Sequence, residues 1–239
     1  MQVNKSKKTI AFLPGFGFKA CIWQSIANQF ADINVILVDL PSAPTSNTEI
    51  IQTINQQLPH DCMLIAWSLG GMIATHLCFN FPDKYQKLVL VASTPKWIAT
   101  TDWHGMSEKN ISTFYNEAQE NLPQLMQTFS RLVNGKNRNH NLRNIMQSHA
   151  IDLTQEYTPL FYLDLLKTSD VRELLSQLNM PVCHIFGGED VLVPADCALA
   201  LKKKHAHHTI HMIQSAGHIP FITHAPEFMH HLLRFIHHD

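Results

Sequence analysis

The segment CMLIAWSLGGMIATHLC, residues 62–78, restricts the fold of this chain more than any other, because it joins an apolar strand to a helix through one polar residue. Residues 62–67 form a continuous apolar run, which is typical of a strand buried on both faces of a parallel sheet. A helical pattern of apolar residues begins directly after Ser68. A turn this tight strains the residue at its centre and lifts that side chain above the sheet. The segment therefore predicts a hydroxyl at the carboxyl end of a buried strand.

The residues around Ser68 fit a nucleophile at such a turn. Close packing of the helix on the strand needs small residues two positions before and two positions after the serine. Gly70 meets this need fully, and Ala66 meets it with one additional methyl group. The helix begins at Leu69, where free N–H groups and the positive end of the helix dipole suit an oxyanion. We expect Ser68 to be the nucleophile, Leu69 to be an oxyanion donor and Trp67 to form part of the pocket wall.

Similar apolar runs alternate with helical patterns along the chain. The other runs span residues 9–13, 33–40, 87–93, 181–190 and 208–213. Such an order predicts an α/β fold with a mostly parallel, doubly wound sheet. The alternation stops near residue 95, and a polar stretch with helical patterns follows. We therefore predict a core of residues 1–95 and 179–239, with residues 96–178 inserted as a helical cap after the fourth strand.

The composition excludes several classes of protein. The chain has 239 residues, 45% of them hydrophobic and 15% charged, which permits a large core and argues against global disorder. Its formal net charge of −1 provides no general attraction to nucleic acid or membranes. The five cysteines include no CxxC pair, and most lie in apolar runs. The apolar run near the N-terminus is too short for a signal peptide, and no stretch approaches a membrane span. We expect a cytoplasmic protein with neither nucleic-acid nor membrane partners.

A serine nucleophile needs a base, and the base needs an orienting acid. For a serine at a strand–helix turn, the expected chain order is serine, acid and histidine. Asp190 follows the predicted strand near residue 182, and His218 follows the next predicted strand. Adjacent strands would bring their loops together over Ser68. The rival carboxylates are Glu189, which is adjacent and would point elsewhere, and Asp164 and Asp170, which lie at the end of the predicted cap.

His218 is one of sixteen histidines, and most of the others have a structural interpretation. Two clusters stand out: His205, His207, His208 and His211 around a strand start, and His230, His231, His237 and His238 on or after the last helix. Neither cluster has the histidine and carboxylate spacing of a catalytic metal site. We therefore expect no metal ion and no cofactor.

The loop LPGFGF, residues 13–18, is the candidate for the second oxyanion donor. Gly15 and Gly17 would let the backbone turn close to Ser68, so that the N–H of Phe16 joins that of Leu69. An ordinary glycine-rich turn remains the alternative for this loop.

These features together resemble the α/β-hydrolase superfamily. Within it, the segments WSLGG, VASTP, LKTSD and HIPFITHAPEF are similar to the biotin-pathway carboxylesterases, which cleave the methyl ester of a pimeloyl chain carried by acyl carrier protein. The resemblance implies an α/β-hydrolase fold, ester hydrolysis through an acyl-enzyme without a cofactor, and acyl carrier protein as partner. We also expect a monomer.

The resemblance also assigns roles to residues. It implies that Ser68 is the nucleophile, His218 the general base and then acid, and Asp190 the orienting acid. Phe16 and Leu69 would supply the oxyanion N–H groups and touch the substrate, as would Ser68 and His218. The cap segment expected to line the acyl channel comprises Phe129, Ser130, Arg131, Leu132 and Val133. The basic patch expected to meet an acidic carrier protein comprises Arg131, Lys136, Arg138 and Arg143; an ordinary solvated helix face is the alternative.

Three departures from the family pattern affect this assignment. Pro14 stands where many relatives have histidine, but the expected oxyanion donors are backbone groups. Ala66 replaces a glycine. The loop of residues 42–47, SAPTSN, is shorter than in relatives, which would widen the site entrance and bears on selectivity. The alternatives are a general short-chain carboxylesterase, a lactonase or a thioesterase on the same fold, or a hydrolase fold that only binds ligand.

Overall fold

Six parallel strands form one sheet in the computed structural model, which describes residues 8–134, 140–151 and 157–237. The strands are β1 (Thr9–Leu13), β2 (Asn34–Leu37), β3 (Cys62–Trp67), β4 (Tyr85–Val91), β5 (Val182–Gly187) and β6 (Thr209–Ile213). Their spatial order is β2-β1-β3-β4-β5-β6, and each neighbouring pair is parallel. β2 lies at one edge beside β1, and β3 to β6 are added on the other side of β1 until the opposite edge is reached. This reversal of direction confirms the prediction of a doubly wound α/β sheet.

Helices occupy most of the connections between the strands. In the described residues they are α1 (Gln24–Ala27), α2 (Asn47–Gln57), α3 (Leu69–Asn80), α4 (Glu108–Glu120), α5 (Leu122–Asn134), α6 (His140–Ser148), α7 (Tyr157–Thr168), α8 (Arg172–Ser176), α9 (Asp196–Lys204), α10 (Pro220–Thr223) and α11 (Ala225–His237). A 3₁₀-helix, Ala20–Trp23, precedes α1. None of the helices in the described ranges combines the length and the apolar character needed to cross a membrane.

The burial of each strand follows from its place in the sheet. The interior strands β1, β3 and β5 are buried along their whole length, which explains their continuous apolar sequences. The edge strands β2 and β6 are only partly buried. The predicted runs of residues 33–40 and 181–190 are longer than the strands, because pairing in β2 stops at Leu37 and pairing in β5 stops at Gly187.

The cysteines behave as the apolar runs predict. All five are free thiols, and all except Cys21 are buried. Burial raises the pKa of the Cys62 and Cys183 thiols to about 12, so these groups stay protonated near neutral pH and pack as small hydrophobic side chains.

Helices α4 to α8 follow β4 and precede β5 in the chain, as the sequence pattern predicted. Helix α7 is fastened to the short loop after β2: the Tyr162 hydroxyl donates to the Pro41 carbonyl at 2.8 Å, and the Thr158 hydroxyl donates to the Ser42 carbonyl. That residues 96–178 act as a cap on a core of residues 1–95 and 179–239 stays a prediction.

Candidate active site

Ser68 occupies the strained turn that the sequence predicted between β3 and α3. Its backbone has φ 55° and ψ −122°, a left-handed conformation that costs roughly 1–3 kcal/mol for a residue other than glycine. Three hydrogen bonds hold this turn. The Ser68 N–H donates to the Val91 carbonyl at 3.0 Å, while the Ser68 carbonyl accepts from the Gly71 N–H at 2.9 Å and from the Ser93 hydroxyl at 2.8 Å. The surrounding structure thus maintains a conformation that raises the Ser68 side chain above the sheet.

This turn at Ser68, the elbow between β3 and α3, has room only for small residues where α3 passes the neighbouring loop. A Cβ atom added to Gly70 would lie 2.4 Å from the Pro14 carbonyl oxygen, and one added to Gly71 would lie 2.3 Å from the Ser93 hydroxyl. Ala66 is fully buried on β3, in register with Leu13 of β1 and Leu90 of β4. The structure therefore supports the predicted need for small residues at this turn.

The structure brings Ser68, His218 and Asp190 into one hydrogen-bonded chain. His218 Nε2 lies 2.9 Å from Ser68 Oγ, and His218 Nδ1 lies 2.7 Å from Asp190 Oδ2. A carboxylate only accepts hydrogen bonds, so Nδ1 carries the proton and Nε2 is free to accept from the serine hydroxyl. The His218 and Asp190 side chains are 1% and 0% exposed, respectively, which shields their contact from water. This geometry can activate a serine hydroxyl as a nucleophile.

Two neighbouring loops place the acid and the base. Asp190 follows β5, and its Oδ1 accepts the backbone N–H groups of Leu192 and Val193 at 2.8 and 3.0 Å. His218 follows β6, the strand paired with β5. The Gly188 N–H also donates to the Ile213 carbonyl at 2.9 Å, which ties the two loops together. Strand pairing therefore brings the two side chains together although they are far apart in sequence.

The rival carboxylates lie elsewhere. Asp164 is on α7. Asp170 forms ion pairs with Arg172 at 2.7 Å and Lys96 at 3.0 Å. Hydrogen bonds from Arg172 hold the pKa of the Asp170 carboxyl well below its usual range. The backbone N–H of Glu189 donates to the Ala216 carbonyl at 2.9 Å. Among these carboxylates, Asp190 is the one bonded to His218.

The loop of residues 14–18 is held beside the elbow. A Cβ atom on Gly15 would lie 2.9 Å from the Trp67 ring and 3.0 Å from Ser68 Cβ, so only glycine permits this approach. Gly17 has φ 79°, and its carbonyl accepts the Ile151 N–H at 3.0 Å. Within the described part of the chain, no backbone hydrogen bond uses the N–H of Phe16 or Leu69. Both N–H groups are therefore available as oxyanion donors, as a hydrolytic site requires.

The candidate channel segment lies against the same loop, although its members differ in exposure. The Phe129 ring meets the Phe16 ring edge to face, with centroids 5.1 Å apart, and both rings are buried. Val133 is buried, and its carbonyl oxygen would lie 3.9 Å from a Cβ on Gly217, next to His218. Ser130 and Leu132 are half-buried, and Arg131 is exposed. Helix α5 thus carries apolar side chains to the site and leaves Arg131 at the surface.

The predicted basic patch has three further members. Lys136 and Arg138 lie outside the described residues, and of Arg143 the structure describes the backbone position in α6.

Two tryptophans hold the loops of the proposed triad in place, a role that was not assigned to them from sequence. Trp67 is fully buried, and its indole N–H donates to the backbone carbonyl of His218 at 2.7 Å. The indole N–H of Trp97 donates to the carbonyl of Leu192, in the loop that holds Asp190, at 3.1 Å. That Trp67 forms part of the pocket wall stays a prediction. The sequence signal that could have indicated this role for Trp67 is its position directly before Ser68.

A cavity borders the loop of residues 14–18 (the glycine loop). Its volume is about 580 Å³, and it lies between that loop, the short loop after β2 and α7. The described residues lining it are Gly15, Gly17, Phe18, Lys19, Leu37, Asp39, Leu40, Pro41, Ser42, Gln57, Ile151, Thr158 and Tyr162. Ser68 is not among these lining residues.

The histidine clusters form contacts with one another. His184 Nε2 lies 3.1 Å from His208 Nδ1, and His205 stacks on His208 with ring centroids 4.6 Å apart. His211 of the first cluster stacks on His231 of the second at 4.1 Å. Across residues 8–134, 140–151 and 157–237, no group of three or more His, Cys, Asp or Glu side chains is arranged to hold a metal ion.

Comparisons with known proteins agree with the fold. A family profile described as the alpha/beta hydrolase fold matches residues 8–225. Among solved structures, an esterase from Exiguobacterium antarcticum has a TM-score of 0.84 at 17% identity, with 97% of this chain and 92% of that one covered. A bromoperoxidase from Bacillus anthracis has a TM-score of 0.83 at 18% identity, with the same coverage. At these identities the structural likeness concerns the fold alone.

Sequence relatives extend over nearly the whole chain. The pimeloyl-[acyl-carrier protein] methyl ester esterase of Aliivibrio salmonicida is 30% identical, covering 98% of this chain and 94% of the relative. The protein of the same name from Legionella pneumophila strain Corby is 29% identical, covering 93% and 92%. Together with the profile match, these similarities show that the chain belongs to the α/β-hydrolase family.

Proposed function

We propose that this protein is a serine carboxylesterase that hydrolyses the methyl ester of pimeloyl-[acyl-carrier protein]. The observation that carries the proposal is the hydrogen-bonded series from Ser68 through His218 to Asp190, at 2.9 and 2.7 Å, in a strained elbow. The names of the full-length relatives supply the substrate. By the same resemblance, the product would be the free pimeloyl carboxylate used in biotin biosynthesis. No cofactor takes part in the proposed reaction.

Acylation uses the three side chains in sequence. Ser68 Oγ attacks the ester carbonyl carbon while His218 Nε2 removes the serine proton. The carbonyl oxygen becomes an oxyanion, and the N–H groups of Phe16 and Leu69 donate to it. The carbon–oxygen bond to the methoxy group then breaks, and the proton on His218 passes to that oxygen. Methanol leaves, and the pimeloyl chain remains bound to Ser68 as an ester.

Deacylation repeats these steps with water. His218 removes a proton from water, whose oxygen attacks the acyl carbon, and the same two N–H groups stabilise the second oxyanion. The bond to Ser68 breaks, and its oxygen recovers a proton from His218. Asp190 keeps the imidazole oriented in both halves and stabilises its charged form. The products are the carboxylic acid and the free enzyme.

The acyl chain and its carrier would approach from the side of α5. The buried Phe129 ring lies against Phe16, whereas Arg131, two residues later on the same helix, is exposed at the surface. We propose that Phe129, Leu132 and Val133 contact the acyl chain. The acidic carrier would meet Arg131 and the other members of the predicted basic patch. We further propose that the enzyme acts as a monomer.

The decisive experiment measures methanol release from pimeloyl-[acyl-carrier protein] methyl ester. We expect Ser68→Ala to lower kcat by roughly 10⁴-fold or more, because the nucleophile is lost. A fluorophosphonate probe should label the wild-type protein and not this variant. Ser176→Ala removes an exposed hydroxyl on α8 and should match the wild type in both assays. A wild type that is neither labelled nor active would contradict the hydrolase mechanism.

Selectivity requires a second comparison. Methyl esters of a series of dicarboxylic acyl chains should be offered both on the carrier protein and as free diesters. The proposed function predicts the highest kcat/KM for the carrier-bound pimeloyl ester. Equal kcat/KM for carrier-bound and free esters, or a preference for short chains, would instead favour a general short-chain carboxylesterase.

A further inference from the structure

The buried indole of Trp67 connects the nucleophile elbow to the base loop. Its N–H donates to the backbone carbonyl of His218 at 2.7 Å, across 151 residues of sequence. Because Trp67 directly precedes Ser68, one hydrogen bond joins the neighbour of the nucleophile to the backbone of the base. We infer that Trp67 is a positioning residue that sets the distance between His218 Nε2 and Ser68 Oγ, an inference that rests on the proposed esterase mechanism.

The packing around the indole leaves it little freedom to move. Its ring lies 5.4 Å from the Phe221 ring and 5.2 Å from the Phe18 ring, measured between centroids. On the third side, Gly15 approaches so closely that a Cβ there would be 2.9 Å from Trp67 Cε3. The indole therefore acts as a rigid spacer with the glycine loop on one side and the His218 loop on another.

The hydrogen bond itself is costly to lose. Trp67 has no exposed surface, and His218 is 1% exposed, so water does not replace a missing donor without rearrangement. A buried carbonyl that has lost its donor is unfavourable, so the backbone should shift until that carbonyl accepts another hydrogen bond. Such a movement would carry the His218 backbone and its ring away from Ser68. A misplacement of about 1 Å can lower a rate about 10²-fold.

Loss of the indole N–H should have a specific kinetic effect. The indole N–H is bonded to the backbone of the base, so its loss should affect proton transfer rather than substrate binding. The effect should therefore appear in kcat while KM stays unchanged. If Trp67 merely filled the core, its replacement would lower stability without a selective fall in kcat.

Trp103 provides a matched control. It is also buried, at 3% exposure, and its indole N–H donates to the Lys96 carbonyl at 3.0 Å and to the Thr94 hydroxyl at 3.2 Å. Its ring lies near Arg172 and Lys204, and its N–H donates to neither the His218 loop nor the Asp190 loop. Trp103→Phe removes the same donor from a buried indole without touching the proposed triad.

The experiment compares Trp67→Phe and Trp103→Phe with the wild type in the hydrolysis of a p-nitrophenyl ester. We expect Trp67→Phe to lower kcat about 10- to 100-fold with KM within about twofold of the wild type, and Trp103→Phe to keep both constants. If the wild type is active and the two variants have equal kcat, the inference about Trp67 is overturned and the proposed function is unaffected. A wild type without ester turnover would overturn the proposed function and this inference together.

A spectroscopic readout separates positioning from general destabilisation. The proton between His218 Nδ1 and Asp190 gives a downfield signal in one-dimensional proton NMR, which should move or broaden in Trp67→Phe and remain in Trp103→Phe. If Trp67→Phe does not fold, benzothienylalanine at position 67 replaces the indole N–H by sulfur and keeps the ring shape. Wild-type kcat and an unmoved proton signal in that protein would also overturn the inference.

Discussion

Asp190 illustrates how a single side chain is held in place for catalysis. Both of its oxygens are occupied: Oδ2 by His218 Nδ1, and Oδ1 by the backbone N–H groups of Leu192 and Val193. With no exposed surface on the side chain, the carboxylate has one orientation available to it. In the proposed mechanism this orientation keeps the proton of the neutral imidazole on Nδ1, so that Nε2 can accept the proton of Ser68.

The substitution Asp190→Asn should reveal this dependence. An amide can keep the two bonds to the backbone through its oxygen, but its NH₂ group would then face His218 Nδ1 and favour the wrong tautomer. We expect kcat to fall about 10⁴-fold at neutral pH with little loss of stability, measured by ester hydrolysis and by urea unfolding. Asp170→Asn is the control, because it removes a carboxylate paired with Arg172 and should leave kcat near the wild-type value.

At the scale of secondary structure, the turn from β3 to α3 depends on close packing against its neighbours. Ala66 is enclosed between Leu13 and Leu90 in the sheet register, and Gly70 passes under the Pro14 carbonyl. The same packing that places the elbow also places the glycine loop. A change in side-chain volume on β3 should therefore alter the geometry of the site as well as stability.

Two substitutions at Ala66 test this connection. Ala66→Gly removes a methyl group and should retain activity, at a cost of roughly 0.5–1 kcal/mol in the free energy of unfolding for glycine in a strand. Ala66→Val adds two methyl groups to a filled site and should cost about 1–3 kcal/mol while losing most of the activity. Urea unfolding and kcat would be measured together. Wild-type kcat in Ala66→Val would show that the elbow tolerates additional volume.

For the molecule as a whole, the histidines link stability to pH. His184 is completely buried, and burial lowers its pKa well below the ordinary value. Burial, with the nearby His205 and His207, lowers the pKa of His208 to about 3. Burial, with His207 and Lys204, lowers the pKa of His205. The folded protein holds these rings neutral, whereas the unfolded chain protonates them below their ordinary pKa of about 6.5.

The free energy of unfolding should therefore be highest above about pH 6.5 and should decrease as the pH falls, because the unfolded chain then binds more protons. For His208, whose folded-state pKa is about 3, the loss between about pH 6.5 and pH 5 is at most about 2 kcal/mol. In His208→Phe, which retains a ring to stack on His205, the pH dependence measured by urea unfolding should be weaker. Identical slopes for wild type and variant would contradict this origin.

Much of the fold could be predicted because its signals are local. The apolar runs of the interior strands and the alternation with helical patterns follow from periodicity, which each segment carries by itself. Edge strands were predicted too long, as for residues 33–40, because apolar character does not stop where pairing stops. The candidate residues Ser68, Asp190 and His218 could be named because each follows a strand at a recognisable turn.

The order of the elements, the elbow at Ser68 and the loops that carry Asp190 and His218 can all be predicted from the residues of each segment. The contacts that hold these parts together are visible only in the folded chain: the indole of Trp67 on the His218 carbonyl, the indole of Trp97 on the Asp190 loop, and the contact of Phe129 with Phe16. The difference arises because turns and strands depend on neighbouring residues. A donor such as Trp67 finds its acceptor 151 residues away only after the sheet has brought the two loops together.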